Sequence, residues 1–232
     1  MNVNKQPWIK RLSSFLVPQV VERRQGEFTS LLEVVIENGQ FRLNTARVNY
    51  SFGSLHTLFW KTFTALDIQR RDIKSVLILG LGAGSVANLL TKTFHKDCRM
   101  VGVERDKVVL ELASKYFHID RFPNLSIHHA DACEFVKTCK ERFDLVVVDV
   151  FVDDTTPAVF ADPGFLEALN DLLSDTGIVC CNRMVNTPES KEQAIRLLHS
   201  VDSIIGPDYL FEYNLQGSKN WMIIHERKSL EP

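Results

Sequence analysis

The chain has 232 residues, 45% of them apolar and 24% charged, and its 27 Lys and Arg against 29 Asp and Glu leave a formal charge of −2. That is the globular average: it excludes intrinsic disorder, collagen-like repeats and a strongly charged tail as global descriptions, and it allows one sizeable α/β core. The near-balanced charge also argues against a general nucleic-acid binder, which needs excess cations to displace counterions from phosphates.

The five cysteines, Cys98, Cys133, Cys139, Cys180 and Cys181, are odd in number and form no C-x-x-C pair, which points to a reducing compartment. The longest uncharged run, Ser75 to Thr91, is interrupted by Gly80, Gly82 and Gly84, so no membrane span is expected. Met1 to Lys5 begins no apolar stretch of signal-peptide type, and the expected location is cytoplasmic.

In chain order, Trp8, Ile9, Leu12, Phe15 and Leu16 recur at helical spacing up to Pro18 and predict a short amphipathic helix. Its apolar stripe is expected to dock on its own domain rather than on a membrane or partner. Ser30 to Ile36 and Phe41 to Tyr50 alternate like strands around Asn38-Gly39, a hairpin turn signal. Leu55, Leu58, Phe59, Phe63 and Leu66 have helical period, and the charged segment Gln69 to Lys74 marks a boundary. Residues 1–72 therefore form an N-terminal helix and β-hairpin region, and 73–232 a Rossmann-like domain.

From Ser75 onward, apolar runs alternate with amphipathic helices, the pattern of a parallel sheet covered on both faces. Strands are expected at 75–79, 99–103, 125–129, 144–148, 177–182, 209–213 and 221–225, and helices near 85–94, 107–116, 132–140, 163–173 and 189–205. The fold class is α/β: a doubly wound, mostly parallel sheet with an antiparallel strand near its C-terminal end.

The strand at 75–79 runs into Gly80-Leu81-Gly82-Ala83-Gly84 and then a helix. Glycines there let a ligand lie against the backbone while the following helix points its N–H groups at it, although a tight corner can need glycines for packing alone. A dinucleotide fingerprint is G-x-G-x-x-G; Ser85 stands at its third glycine, which disfavours a pyrophosphate ligand. The next strand ends in Glu104, about twenty residues past Gly84, where a carboxylate can accept from both hydroxyls of a ribose. The third is followed by Ala130-Asp131-Ala132, able to accept from an adenine amino group and donate to a ring nitrogen, and the fourth ends at Asp149. Singly, each acid reads equally well as a helix cap or turn former. Jointly they place distinctive residues at successive carboxyl ends, where open α/β sheets bind ligands.

Together with the N-terminal hairpin and the segments Val103-Glu104-Arg105-Asp106 and Phe143 to Asp149, these motifs resemble the class I S-adenosylmethionine-dependent transferases. Within them the similarity is to the spermidine synthase-like proteins, from about Leu31 to about Asn182. The resemblance implies that Gly80, Gly82 and Gly84 face the amino-acid part of S-adenosylmethionine or its decarboxylated form, Glu104 and Arg105 its ribose, and Asp131 and Ala132 its adenine. Asn49 lies near the place of a glutamine that helps hold the nucleoside. True aminopropyltransferases usually carry an Asp near Ala83 and continue as D-S-S-D, whereas this chain has Asp149-Val150-Phe151-Val152-Asp153-Asp154.

The implied activity is transfer of a methyl or aminopropyl group to a small amine-bearing acceptor, a polyamine among the candidates. Asp149 is the expected base or orienter and Asp153, beside Asp154, holds a cationic acceptor unless that stretch is a solvated turn. Phe151, Phe160 and Trp60 can wall the acceptor pocket. The seven histidines have no zinc-helix spacing, so no metal is expected. The likeness also suggests a homodimer through the hairpin, with neither nucleic acid nor membrane as partner. The competing readings are a non-catalytic nucleoside-binding or assembly module and, less favoured because of Ser85, an NAD-dependent oxidoreductase.

Overall fold

In the small antiparallel sheet, β1 (Gln19–Arg24), β2 (Leu32–Glu37), β3 (Gln40–Thr45) and β4 (Asn49–Ser51) lie in chain order. Asn38 and Gly39 join β2 to β3 with φ of 51° and 74°, the mirror-image turn that suits the right-handed twist of paired strands. The hairpin expected from the sequence is thus the middle of a four-stranded sheet. The computed structural model describes residues 11–45, 49–151, 156–206, 209–215 and 218–227.

Trp8 and Ile9 lie outside the described residues, and the described part of the N-terminal stripe does not dock as its spacing predicts. Residues 11–13 are helical, but Leu12, Phe15 and Leu16 are 65%, 62% and 88% exposed. Polar groups make the attachment instead: the Ser14 hydroxyl accepts from Gly39 N–H, the Ser14 carbonyl accepts from Asn38 N–H, and Arg11 Nε donates to the Gly39 carbonyl. The left-handed turn leaves its N–H groups free for this, and a paired turn fixes the segment without burying its apolar face.

The large sheet contains β5 (Ser75–Leu79), β6 (Arg99–Glu104), β7 (Leu125–His129), β8 (Phe143–Val148), β9 (Leu173–Met184), β10 (Tyr209–Leu215) and β11 (Ser218–Glu226), in the order β10-β11-β9-β8-β5-β6-β7. β5 to β9 pair in parallel, and β11 runs antiparallel to both β9 and β10. This is the doubly wound Rossmann-like methyltransferase arrangement. The chain winds outward from β5 to β6 and β7 on one side and to β8 and β9 on the other, so the crevice above β5 and β8 is the switch point where such sheets bind ligands.

The helices are α1 (Ser54–Ala65), α2 (Ser85–Asn88), α3 (Lys107–Leu112), α4 (Ala132–Thr138), α5 (Pro163–Asp171) and α6 (Pro188–Ile204). α2 and α3 are shorter than their periodicity predicts because Leu89–Thr93 and Ala113–Phe117 continue them as wider π turns. β9 starts earlier than expected and bulges: Phe143 pairs with Leu173, but Leu145 pairs with Ile178. A Cβ at Gly177 would lie 2.9 Å from the Phe143 carbonyl, so the bulge needs glycine there.

β5 is buried on both faces. Val76 and Ile78 join a core that also holds Leu32 and Leu43 of the small sheet and Phe59 and Phe63 of α1, while Leu77 and Leu79 pack with Phe165, Leu169 and Leu197 under α5 and α6. Two polar clasps tie the small sheet to the carboxyl edge of the large one. Buried Asp106 caps α3 through Val108 and Val109 N–H with one oxygen and accepts from Glu27 and Phe28 N–H with the other. Ser85 Oγ accepts from Phe52 N–H at 2.6 Å and shares a hydrogen bond with Ser51 Oγ, which itself accepts from Ala83 N–H. The residue that breaks the dinucleotide pattern is therefore an anchor. Ser85→Ala strips partners from both the Phe52 N–H and the Ser51 hydroxyl, and urea unfolding should show a loss of about 1–3 kcal/mol.

Candidate active site

The glycine turn is held to β6 by main-chain bonds. Gly80 and Leu81 N–H both donate to the Val103 carbonyl at 3.0 Å, and Gly82 N–H donates to Glu104 Oε2 at 3.0 Å. Gly80 has φ of 84°, and a Cβ there would fall 2.2 Å from the Asp149 carbonyl oxygen. No side chain fits, which is how the ends of β5 and β8 come close enough to share one cleft.

Glu104 is only 3% exposed, and its other oxygen accepts from Asp106 N–H at 3.1 Å. Burial raises its carboxyl above the usual range, opposed by these backbone N–H donors. A carboxylate has acceptor capacity beyond these bonds, and Glu104 lines the cleft. Glu104 does not cap α3; Asp106 does.

The cleft is narrow and open to solvent at its mouth. Gly80, Val103, Glu104 and Arg105 line one side and Ala130, Asp131 and Ala132 the far end; Val150, Phe151, Pro157 and Phe160 cover it, and Tyr50 enters from the small sheet. Arg105 is braced by the Phe28 ring, 4.2 Å from its guanidinium carbon. Asp131 caps α4 through Oδ1, which accepts from Cys133 and Glu134 N–H, so capping and cleft-lining roles coexist in one side chain.

The structure thus brings together Gly80, Glu104, Arg105, Asp131, Ala132, Phe151 and Phe160. Gly82 and Gly84 shape the turn beneath, with φ of 54° and 87°. Asn49 lies elsewhere: its amide donates to Asn44 Oδ1 and accepts from Leu55 N–H, holding the corner between β3 and α1. Successive strand residues face opposite ways, so its neighbour Tyr50 reaches the cleft instead. Trp60 sits on α1, 44% exposed and outside the cleft. Asp153 and Asp154 lie outside the described residues.

Asp149 stands at the end of a buried polar chain invisible to local sequence reading. Asn182 Nδ2 donates to its Oδ1 at 2.8 Å, Asn220 Nδ2 donates to Asn182 Oδ1 at 3.0 Å, and the Ser218 hydroxyl donates to Asn220 Oδ1 at 2.9 Å. Asn220 thereby fixes which end of the Asn182 amide faces Asp149. Burial pushes the Asp149 carboxyl up to about 7, with Glu104 adding to the rise, while the Asn182 hydrogen bond and the charge of Arg183 pull it down. Burial, and then the negative charges of Glu104, Asp106 and Asp149, hold the Tyr50 phenol well above its ordinary value, so it stays neutral. A strand-end Asn at 182 paired with one at 220 was the available signal, but only pairing between β9 and β11 makes it legible.

This sheet order and these strand ends define a protein of the S-adenosylmethionine-dependent methyltransferase fold. Residues 64–211 match the spermine/spermidine synthase domain, and the chain belongs to that family. The structure resembles spermidine synthase from Thermotoga maritima (TM-score 0.65, 16% identity, over 91% of this chain and 74% of that one). It also resembles human methyltransferase-like protein 13 in complex with SAH (TM-score 0.60, 21% identity, over 78% of this chain and 83% of that one).

In sequence it is 24% identical over 193 residues to the eEF1A lysine and N-terminal methyltransferase homolog of Drosophila melanogaster, covering 76% of this chain and 28% of the relative. It is 31% identical over 110 residues to the polyamine aminopropyltransferase of Vibrio vulnificus, covering 46% of this chain and 36% of the relative. The chain thus spans 28% of the length of the first curated relative and 36% of the second.

Asp149 carries a linkage that can be measured. Its carboxyl is raised from 3.8 to about 7, so between these values the folded protein keeps a proton that the unfolded chain has released. Its contribution to stability therefore declines as pH rises from about 4 to about 7 and is flat above. In urea titrations, Asp149→Asn should gain stability on wild type by about 2–4 kcal/mol across that window. Parallel pH profiles for the two proteins would show the assignment wrong.

Proposed function

We propose that the chain is a transferase that binds S-adenosylmethionine or its decarboxylated form and moves its methyl or aminopropyl group to an amine. The observation that carries this reading is Glu104, a carboxylate kept at 3% exposure at the end of β6, facing a cleft and locked to a glycine turn. Such a group is costly to bury unless something uses its remaining acceptors, and the two vicinal hydroxyls of a ribose suit it. Asp131 and Ala132, at the far end of the same cleft, suit the adenine, and the turn at Gly80, Gly82 and Gly84 suits the amino-acid portion. Asn49 contributes indirectly, by holding the corner that presents Tyr50.

The bound donor supplies a carbon made electrophilic by a sulfonium. Asp149 would take the proton of the attacking amine: the nitrogen lone pair forms the new N–C bond, the C–S electrons stay on sulfur, and the proton passes to the carboxylate. A carboxyl near 7 is poised for this at neutral pH, and Asn182 keeps it oriented. Tyr50, which lines the same cleft, stays neutral and adds no charge there. Asp153, four residues further along the sequence, would steer the ammonium end of the acceptor. The relatives' names, an aminopropyltransferase of polyamines and a methyltransferase of lysine and N-termini, share an amine acceptor. All five cysteines are free, in keeping with a cytoplasmic protein, and the outer edge of β1 offers a homodimer contact. Among the described residues no helix is long and apolar enough to cross a membrane.

Calorimetric titration with S-adenosylmethionine and S-adenosylhomocysteine tests the reading. Wild type should bind at least one, Glu104→Ala should lose about tenfold or more in affinity, and Asp149→Asn should bind normally. Label transfer to an amine panel should then rise through about pH 7 in wild type and fall by about a hundredfold or more in Asp149→Asn. No nucleoside binding at millimolar concentration sinks the proposal, and binding without turnover leaves a nucleoside-binding module of the same fold.

A further inference from the structure

Phe28 sits in the loop between β1 and β2 with 48% of its surface in water. Burial therefore does little to place an aromatic ring there. The loop around it is nonetheless clamped. Gly26 N–H donates to the Thr29 carbonyl at 3.0 Å, and buried Asp106 accepts from Glu27 and Phe28 N–H through Oδ2. A Cβ at Gly26 would fall 2.5 Å from that same oxygen, so only glycine lets the loop approach so closely. Glu27 Oε2 accepts in turn from Lys107 N–H at 3.0 Å. The loop is thus fastened on both sides of Arg105, at the corner between β6 and α3.

The side chain this clamp serves is Arg105. Its guanidinium carbon stands 4.2 Å from the centre of the Phe28 ring, close enough for the cation to be held by the ring face. Its main chain is held as well, since the Arg105 carbonyl accepts from His129 Nε2 at 3.0 Å. An arginine at a surface corner samples many rotamers; one bonded to β7 and seated on a ring keeps few. Arg105 lines the donor cleft with Glu104, Asp131 and Ala132, and Phe28 does not, so the ring backs the guanidinium from outside the cleft. Burial raises both the Tyr50 phenol and the Cys133 thiol, and the charge of Arg105 opposes the rise in each. The guanidinium therefore lies within reach of Tyr50 on one side and of Cys133, next to Ala132, on the other. A planar cation held there offers a flat face and in-plane N–H donors to a nucleoside in the cleft.

We propose that Phe28 is a positioning residue for donor binding: it holds the Arg105 guanidinium as a flat wall of the cleft, so that a loop of the small sheet raises affinity for the nucleoside without touching it. The inference rests on the reading of this cleft as the donor site and adds a residue to it.

Ring quality separates this role from simple packing. S-adenosylhomocysteine is titrated calorimetrically into wild type, Phe28→Trp, Phe28→Leu and Phe28→Ala. Leucine is apolar but has no π-face, whereas an indole holds cations best among aromatic side chains. Phe28→Trp should bind at least as tightly as wild type, and Phe28→Leu and Phe28→Ala roughly three- to tenfold more weakly. In an Arg105→Leu background the same changes at position 28 should alter affinity by less than about twofold, because the group they act on is gone. If Arg105→Leu binds too weakly to titrate, the order of the position 28 variants decides alone. Urea unfolding of each variant checks that the fold is kept. Wild-type affinity in Phe28→Leu, or an equal loss with and without Arg105, would overturn the proposal and leave Phe28 as a surface contact of the loop. Absence of binding in wild type would instead sink the donor-site reading, and this inference with it.

Discussion

A single buried carboxylate organises the carboxyl edge of this sheet. Glu104 receives the N–H of Gly82 on one oxygen and that of Asp106 on the other, so it joins the turn leaving β5 to the start of α3. Desolvating a carboxylate is unfavourable, and these donors offset only part of that cost. The remaining acceptor capacity makes the edge receptive to hydroxyl donors. Asp106, two residues on, turns the same corner into an attachment point for Glu27 and Phe28, and Arg105 between them lies over the Phe28 ring. Three consecutive side chains thus set the turn, line the cleft and fasten the small sheet.

The neighbourhood of Asp149 shows how charge is distributed where chemistry is expected. Asp149, Glu104 and Tyr50 share one water-poor region, and like charges there raise one another's proton affinity. Arg183 counters this from across the strand without bonding to the acid, whereas Asn182 bonds to it without adding charge. Orientation and electrostatic bias are therefore supplied by adjacent residues on opposite faces of β9. Exchanging them would put the cation on the Asp149 face of the strand.

Much of this was legible in the sequence because it is local. A strand, a glycine turn and an acid at the next strand end are consecutive signals, and Gly80, Glu104, Asp131 and Ala132 meet in the cleft as their spacing suggests. What escaped was nonlocal. Tyr50 and Asn49 differ by one step of strand alternation, and only the observed register decides which faces the ligand. Asn182, Asn220 and Arg183 gain meaning from pairing between strands distant in sequence. Leu12, Phe15 and Leu16 departed from expectation because helical period marks an apolar face without saying what covers it, and here Ser14 and Arg11 make the attachment. Helix lengths near 85–94 and 107–116 were overestimated since periodicity cannot distinguish a regular turn from a widened one.

The Ser51–Ser85 clasp bears on how the molecule reaches its native state. It and the Asp106 anchor join segments 34 and more than 70 residues apart, so closing them imposes large loop entropies before any contact rewards it. The central pairing of β5 with β8 also joins distant segments, Val76 with Leu145, so the large sheet closes a loop of comparable length. The cleft, whose Tyr50 wall is carried by the last strand of the small sheet, is complete only when the sheet and both clasps have closed, so a nascent chain gains its core and its cleft from the same set of distant contacts.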